Sequence, residues 1–247
     1  MPVRKRRVMA KKEILFQNNT YALAYEILNF GQPKTILFLH GWGSNKEIMK
    51  QAFGKTFVSY QHVYLDLPGF GHSSIDSVID TDVYAAIVQS FLDALQIKPF
   101  MIVGHSYGGK VATLLNPEVL VLLSSAGIVA PKSLKVRTKI ALFKLLKPFA
   151  PRSFYRFFAT KDVDGMSQVM YEILKRVVNE DLSEKFHARK AKTFIFWGKD
   201  DKATPLASGE KIHSLIHGSH FYPLEGDHFF FLKQYRCIEK TLLEFGF

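Results

Sequence analysis

The ten residues from Met101 to Lys110, MIVGHSYGGK, constrain the fold of this chain more than any other segment. An apolar run typical of a buried strand leads into Gly104, and a helix-compatible segment extends to Leu115. Only a very tight turn can join two such elements. Ser106 must then adopt a strained backbone conformation, which requires neighbours with almost no side chain. The pattern predicts a strand, a sharp turn that displays the Ser106 hydroxyl, and a helix.

The G-x-S-x-G spelling of this turn, placed between a strand and a helix, is typical of a nucleophile elbow. A serine hydroxyl is a poor nucleophile unless a base takes its proton and a third group orients that base. The chain must therefore supply a histidine and a carboxylate on loops that follow other strands.

Short β-branched and aromatic runs alternate with helical patterns such as Asp82–Leu95 and Lys233–Phe245. Strands are predicted at residues 35–40, 62–67, 100–104, 119–124, 193–198 and 220–224, after an opening hairpin that turns near Asn18 and Asn19. Alternation of this kind predicts an α/β fold, in which a mostly parallel central sheet has helices on both faces.

One long section, between residues 129 and 189, contains no strand signal. Helical patterns at residues 134–149 and 166–182 predict a helical lid, inserted over the carboxyl edge of the sheet where ligands of such folds bind. A helical subdomain without a role in binding is the alternative. The predicted core is then residues 13–128 and 190–247, and residues 1–12 are expected to form a disordered basic tail.

Positive charge is concentrated in two places, although the net charge of the whole chain is +11. Six basic residues and no acid lie in residues 1–12, and no nucleic-acid-binding module follows them. Nine more lie without an acid in the predicted lid: Lys132, Lys135, Arg137, Lys139, Lys144, Lys147, Arg152, Arg156 and Lys161. A lid whose charged residues are all positive favours an anionic partner, such as a substrate on an acidic carrier protein or an anionic lipid surface. A basic lid with no role in choosing substrate is the alternative.

Several other classes of protein do not fit the sequence. The single cysteine, Cys237, excludes an internal disulfide and favours a reducing compartment. No apolar run reaches the ~18 residues that span a membrane, so a cytoplasmic location is expected. The scattered histidines have no metal-binding spacing, and no dinucleotide or phosphate-loop spacing is present. No metal and no cofactor are therefore predicted.

The loops after two late strands supply the groups that an elbow serine needs. Asp200 and Asp201 lie in KDDKATP after one strand, and His228 lies in EGDHFFF after the next. Along the chain, these groups come in the order serine, acid, histidine. In HGWG, two glycines flank Trp42 after an early strand, where backbone amides can face a developing negative charge.

Five segments together resemble the α/β-hydrolase superfamily from about residue 13 to 247: HGWG (40–43), DLPGFGHSS (66–74), GHSYGG (104–109), WGKDDKATP (197–205) and GDH (226–228). The resemblance implies Ser106 as the nucleophile and His228 as the base. The superfamily pattern G-x-x-D-x-x-x-P selects Asp201 over Asp200 as the acid. It also implies that the backbone N–H groups of Trp42 and Tyr107 form the oxyanion hole.

The resemblance implies hydrolysis of a small-molecule carboxylic ester through an acyl-enzyme, and the motifs are also similar to those of pimeloyl-carrier-protein methyl esterases. One alternative is a C–C bond hydrolase of ring-fission products, although members of that group tend to carry Trp where this chain has Phe229. A non-catalytic ligand-binding member of the fold is the other alternative. Structural roles are expected for His40, His105, His72 and Asp66, and for the side chains of Phe229, Phe230 and Phe231 under the final helix.

Overall fold

The computed structural model describes residues 8–129 and 166–247. Its strands are β1 (Val8–Phe16), β2 (Asn19–Leu28), β3 (Thr35–Leu39), β4 (Gln61–Leu65), β5 (Met101–His105), β6 (Val119–Leu123), β7 (Lys192–Gly198) and β8 (His220–Leu224). Its helices are α1 (Lys46–Phe53), α2 (Thr81–Ala94), α3 (Tyr107–Leu114), α4 (Gln168–Val177), α5 (Ser183–His187), α6 (Leu206–Leu215) and α7 (Phe231–Glu244).

Within the described residues, the strands form one sheet in the order β1-β2-β4-β3-β5-β6-β7-β8. β1 and β2 pair antiparallel, as do β2 and β4, and every pair from β4 to β8 is parallel. The chain leaves β3 towards one edge of the sheet and later enters β5 on the other side. The loops after β3 and β5 therefore diverge and leave a crevice between them, which is where open α/β sheets bind ligands.

The core has two layers because alternate residues of each buried strand face opposite sides of the sheet. In β3, Ile36 and Phe38 pack into the layer formed with α1 and α7, whereas Leu37 and Leu39 pack into the layer formed with α2 and α3. All five residues of β3 are buried, as expected for a parallel strand covered by helices on both faces. The elbow and its neighbouring loop thus start from the most rigid part of the sheet.

The predicted α/β fold, with its mostly parallel sheet, is confirmed, and each predicted strand is present within one residue or two of its expected bounds. The opening hairpin turns at Gln17 and Asn18, which both have positive φ angles of 47° and 65°. Two such residues make the turn that matches the right-handed twist of paired strands.

The structure differs from the sequence prediction at the basic tail. β1 begins at Val8, so residues 8–12 form part of a strand and not of a disordered tail. Lys11 pairs with Ala24 and Lys12 with Leu23 across the ladder. β1 is an edge strand, and lysines on such a strand keep the edge from pairing with other sheets. The basic residues of this segment are therefore compatible with an edge strand, although a run of basic residues is also typical of a disordered tail.

Only part of the predicted lid lies in the described residues. The helical pattern at 166–182 contains α4, and the short helix α5 follows it before β7. The pattern at 134–149 and the nine lid cations lie outside the described residues, so the lid and its bounds stay a prediction. No helix in residues 8–129 or 166–247 has the length and apolar character needed to cross a membrane.

Candidate active site

The turn between β5 and α3 holds Ser106 in the strained conformation that the sequence predicts. Its φ and ψ angles are 50° and −114°. The Ser106 N–H donates to Leu123 O at 3.0 Å, and the Ser106 carbonyl accepts from the N–H groups of Gly109 and Ala126, both at 3.0 Å. Bonds on both sides of the residue fix a backbone conformation that serine would otherwise avoid.

Glycines surround the turn because neighbouring backbone approaches too closely for any side chain. A Cβ atom at Gly108 would lie 2.5 Å from the carbonyl oxygens of Leu39 and His40, at the end of β3. One at Gly104 would lie 2.5 Å from the carbonyl oxygen of Gly108. These glycines let α3 close tightly onto the sheet and so hold the turn in place.

His228 and Asp201 form a directly bonded pair at the same edge of the sheet. His228 lies in the turn after β8, and its Nδ1 is 2.7 Å from Asp201 Oδ2. The other oxygen, Oδ1, accepts the N–H groups of Ala203 and Thr204 at 2.8 and 2.9 Å. Because an ionised carboxylate can only accept, Nδ1 carries a proton, and in the neutral form of the ring the lone pair is then at Nε2.

The surroundings of Asp201 keep its carboxylate ionised. Burial alone would raise the pKa, but the hydrogen bonds from His228 and from the Thr204 N–H outweigh it and lower the pKa from 3.8 to about 2. The side chain of Asp201 is fully buried, whereas that of His228 is 17% exposed. Asp200 is exposed on the same loop, so of the two candidate acids Asp201 is the one beside His228.

His105 joins the elbow to the histidine loop. Its Nε2 lies 3.0 Å from the carbonyl oxygen of His228, and the two rings are 4.6 Å apart between centroids. Burial, reinforced by the nearby His228, lowers the pKa of His105 to about 3. The ring is therefore neutral and donates from Nε2. Within the described residues, Ser106 Oγ makes no hydrogen bond to His228, a contact that often tightens only when substrate binds.

Two backbone N–H groups beside Ser106 are free to bind a ligand. The N–H of Tyr107 belongs to the first turn of α3 and has no partner inside the helix. Neither it nor the N–H of Trp42 donates to another group in the described parts of the chain. The rings of Trp42 and Tyr107 pack edge to face, 5.3 Å apart. The side chains of the two residues predicted to supply the donors therefore lie next to each other at the crevice between β3 and β5.

A buried network supports the loop that carries Trp42. Asp66 accepts the backbone N–H and the Nζ of Lys46, both at 2.7 Å, and the N–H of His72 at 3.0 Å. His40 accepts the N–H of Leu67 at Nε2, at 3.1 Å. Burial lowers the pKa of His40 to about 4, so the ring is neutral. His40, His72 and Asp66 thus have the structural contacts expected of them.

The aromatic run after His228 does not pack as expected. Phe230 and Phe231 are buried against the final helix, but Phe229 is 42% exposed and contacts the rings of His228 and His105, both with 5.4 Å between centroids. Phe229 precedes the first residue of α7, Phe231, so its ring lies beside His228 and not under the helix.

Thr204 is a site residue that the sequence analysis missed. Its hydroxyl donates to Asp201 Oδ2 at 2.8 Å and lies 3.3 Å from His228 Nδ1. An aspartate side chain commonly accepts the backbone N–H groups of residues that follow it, and such a local turn at Asp201 brings Thr204 beside the carboxylate. The DKAT segment is thus a preformed cradle for the carboxylate.

We expect Gly108→Ala to lower the free energy of unfolding by about 3 kcal/mol, because the new Cβ would overlap backbone that cannot move aside. Gly218→Ala is the matched control: φ is +72° there, but no atom lies within 4 Å, so the loss should be about 1 kcal/mol. Urea unfolding measures both, and equal losses would contradict a steric origin.

Acid should weaken the protein through Asp201. A carboxyl group whose pKa is lower in the folded state stabilises the fold above the unfolded-state pKa, and this contribution is lost as pH falls. With a pKa of about 2 in place of 3.8, the contribution falls by about 1 kcal/mol between pH 5 and pH 3. Urea unfolding of wild type and Asp201→Asn at both pH values tests this, and equal pH dependence in the two proteins would contradict it.

Comparison with known proteins identifies the fold and the family of this chain. An uncharacterized hydrolase of Bacillus subtilis (strain 168) is 25% identical to this chain, and the alignment covers 77% of this chain and 81% of that protein. An esterase from Exiguobacterium antarcticum has a TM-score of 0.73 and 21% identity over 95% of this chain and 98% of its own. A meta-cleavage product hydrolase from Pseudomonas fluorescens IP01 has a TM-score of 0.66 and 18% identity, over 95% and 96%.

The two structural similarities concern the fold alone, but the sequence match goes further. Residues 36–233, most of the chain, match the alpha/beta hydrolase family. The match spans β3, the elbow and the loops of Asp201 and His228. This chain therefore belongs to the alpha/beta hydrolase family and is a hydrolase.

Proposed function

We propose that the protein hydrolyses a carboxylic ester through a Ser106–His228–Asp201 triad, without a cofactor. The observation that carries the proposal is the strained serine at a sharp strand-to-helix turn, on the same sheet edge as a bonded histidine–carboxylate pair. Two unpaired backbone N–H groups beside the serine add the electrostatic part of the site.

The proposed reaction has two halves. Ser106 Oγ attacks the ester carbonyl carbon while His228 Nε2 takes the hydroxyl proton, and the negative charge moves onto the carbonyl oxygen. The N–H groups of Trp42 and Tyr107 stabilise that charge. His228 then gives its proton to the departing alcohol, which leaves an acyl group on Ser106.

Water completes the cycle in the same geometry. His228 takes a proton from water, the hydroxide oxygen attacks the acyl carbon, and the returned proton restores the Ser106 hydroxyl as the carboxylic acid leaves. Asp201 stays ionised throughout and holds the imidazole in the tautomer that has its lone pair at Nε2. The low pKa of Asp201 supports this role.

The structural similarity to a meta-cleavage product hydrolase supports a second candidate, C–C bond cleavage by the same three residues. The presence of Phe229 after His228, where C–C bond hydrolases tend to carry Trp, favours the ester reaction. A site that only binds ligands is disfavoured, because such a site has no need of a bonded His–Asp pair beside a strained serine.

A fluorophosphonate probe and p-nitrophenyl acetate test the function. We expect the probe to label Ser106 in the wild-type protein, and Ser106→Ala to lose labelling and lower ester turnover by about 10⁴-fold or more. Turnover of a vinylogous diketone above that of esters would favour the C–C candidate. An unlabelled wild-type protein without ester turnover would overturn the proposal.

The two neighbouring aspartates provide an internal control for the acid. Asp201→Asn should lower kcat by about 10⁴-fold, since the amide no longer holds His228 in the required tautomer. Asp200→Asn should stay within about twofold of wild type, because that side chain is exposed. Steady-state kinetics at pH 7 measure both, and a larger loss at Asp200 would contradict the assignment.

A further inference from the structure

Lys110 is a buried cation on the elbow helix, one turn beyond Ser106. Its side chain is only 2% exposed, and its Nζ donates to Val177 O at 2.7 Å, Glu180 O at 3.2 Å and Glu180 Oε2 at 3.1 Å. An ammonium group has three N–H donors, and all three therefore find acceptors. Those acceptors lie at the end of α4 and just after it, some 70 residues along the chain.

The carboxylate of Glu180 extends the contact to a third element. It accepts the backbone N–H of Thr81 at 3.3 Å and forms a short hydrogen bond with the Thr81 hydroxyl. Thr81 is buried and is the first residue of α2. Glu180 thus joins α3, through Lys110, to the start of α2 and to the segment that follows α4.

The contacts continue from Thr81 to the proposed oxyanion donors. The hydroxyl groups of Thr81 and Tyr107 lie 3.5 Å apart. The Tyr107 ring packs edge to face against Tyr84 on one side and Trp42 on the other, with 5.3 Å between centroids in each case. Tyr107 and Trp42 are the two residues proposed to supply the oxyanion N–H groups, neither of which donates within the described residues.

Stability alone does not account for this ion pair, in which the Lys110 side chain is buried and that of Glu180 is partly buried. Burial lowers the pKa of Lys110 from its ordinary value, against the attraction of Glu180, so taking the charge out of water has a cost. Apolar side chains of similar volume often stabilise a protein as well as a buried ion pair does. An ion pair with all its hydrogen bonds made does, however, fix the positions of its neighbours more closely than an apolar contact does. Every donor that is displaced loses its acceptor.

We propose that Glu180 and Lys110 are positioning residues, which act through Thr81 and Tyr107 to hold the two oxyanion donors at their catalytic spacing. They touch neither substrate nor the reacting atoms. Glu180 follows α4, in the segment where the predicted lid returns to the core, so the position of that segment is coupled to stabilisation of the transition state. This inference rests on the proposed ester hydrolysis.

Glu180→Gln tests the proposal, because it keeps the side-chain shape and removes the charge that holds Lys110 and Thr81. Rates are measured with p-nitrophenyl acetate and divided by the fraction of protein that the fluorophosphonate probe labels. For Glu180→Gln, kcat should then fall by about tenfold while KM changes less than about twofold. The affinity for phenylboronic acid, whose adduct with Ser106 places an oxygen at the two N–H groups, should fall by a similar factor.

Two controls separate positioning from folding. Glu172→Gln removes the same charge from α4, where Glu172 forms a solvent-exposed ion pair with Lys175 at 2.6 Å, and should leave the per-site kcat unchanged. At the first residue of α2, Thr81→Val removes the hydroxyl and should reproduce the loss, whereas Thr81→Ser keeps the hydroxyl and should recover most of the rate.

The outcomes distinguish this inference from the proposed function. Suppose that the wild-type protein is reactive and that both Glu180→Gln and Thr81→Val keep the wild-type kcat per labelled site. This result would overturn the positioning role and leave the proposed ester hydrolysis unaffected. A fall in the labelled fraction with unchanged per-site kcat would assign the pair to folding alone and also overturn it. A wild-type protein that neither labels nor turns over esters would remove the proposed function and this inference with it.

Discussion

The strained backbone of Ser106 is the constraint on which the rest of the site depends. A φ of 50° in a serine persists only where surrounding bonds determine it, and here bonds to β6, to α3 and to the segment after β6 do so. The conformation also requires Gly104 and Gly108, because α3 must approach the ends of β3 and β5 without side chains between them. The proposed nucleophile is therefore positioned by the sheet itself.

Strand order explains why the other groups meet that serine. β3 and β5 are neighbours, so the loop of Trp42 lies against the elbow, while β7 and β8 deliver the loops of Asp201 and His228 along the same edge. His105 connects the two halves, because its ring bonds the His228 carbonyl from the strand that carries the elbow. A neutral ring suits this position, since a positive charge on His105 would oppose the proton that His228 accepts in the proposed reaction.

Much of this could be predicted from the sequence, because the signals are local. The strand before Gly104 predicted the elbow. The superfamily pattern that matches Gly198, Asp201 and Pro205, also within ten residues, selected the aspartate that lies beside His228. The exposed Phe229 and the bonds of Lys110 to Glu180 depend on packing between distant segments, which no local pattern records. The prediction of a disordered tail was wrong for residues 8–12 for a similar reason, since the β1 lysines acquire their role only at the edge of a sheet.

The two proposed oxyanion donors have a common form of support. Behind the Trp42 loop lies the buried pair of Asp66 and Lys46, and behind Tyr107 lies the pair of Glu180 and Lys110. Each pair bonds backbone as well as side chain: Asp66 accepts the Lys46 N–H, and Lys110 donates to main-chain carbonyls. An oxyanion hole is effective only if its dipoles are already aligned when charge appears, because reorienting them would consume the stabilisation they provide. Fully bonded charges, of which Glu180 alone is partly exposed here, resist such reorientation more than apolar packing does. One pair behind each proposed donor therefore fits a site that is set before substrate arrives.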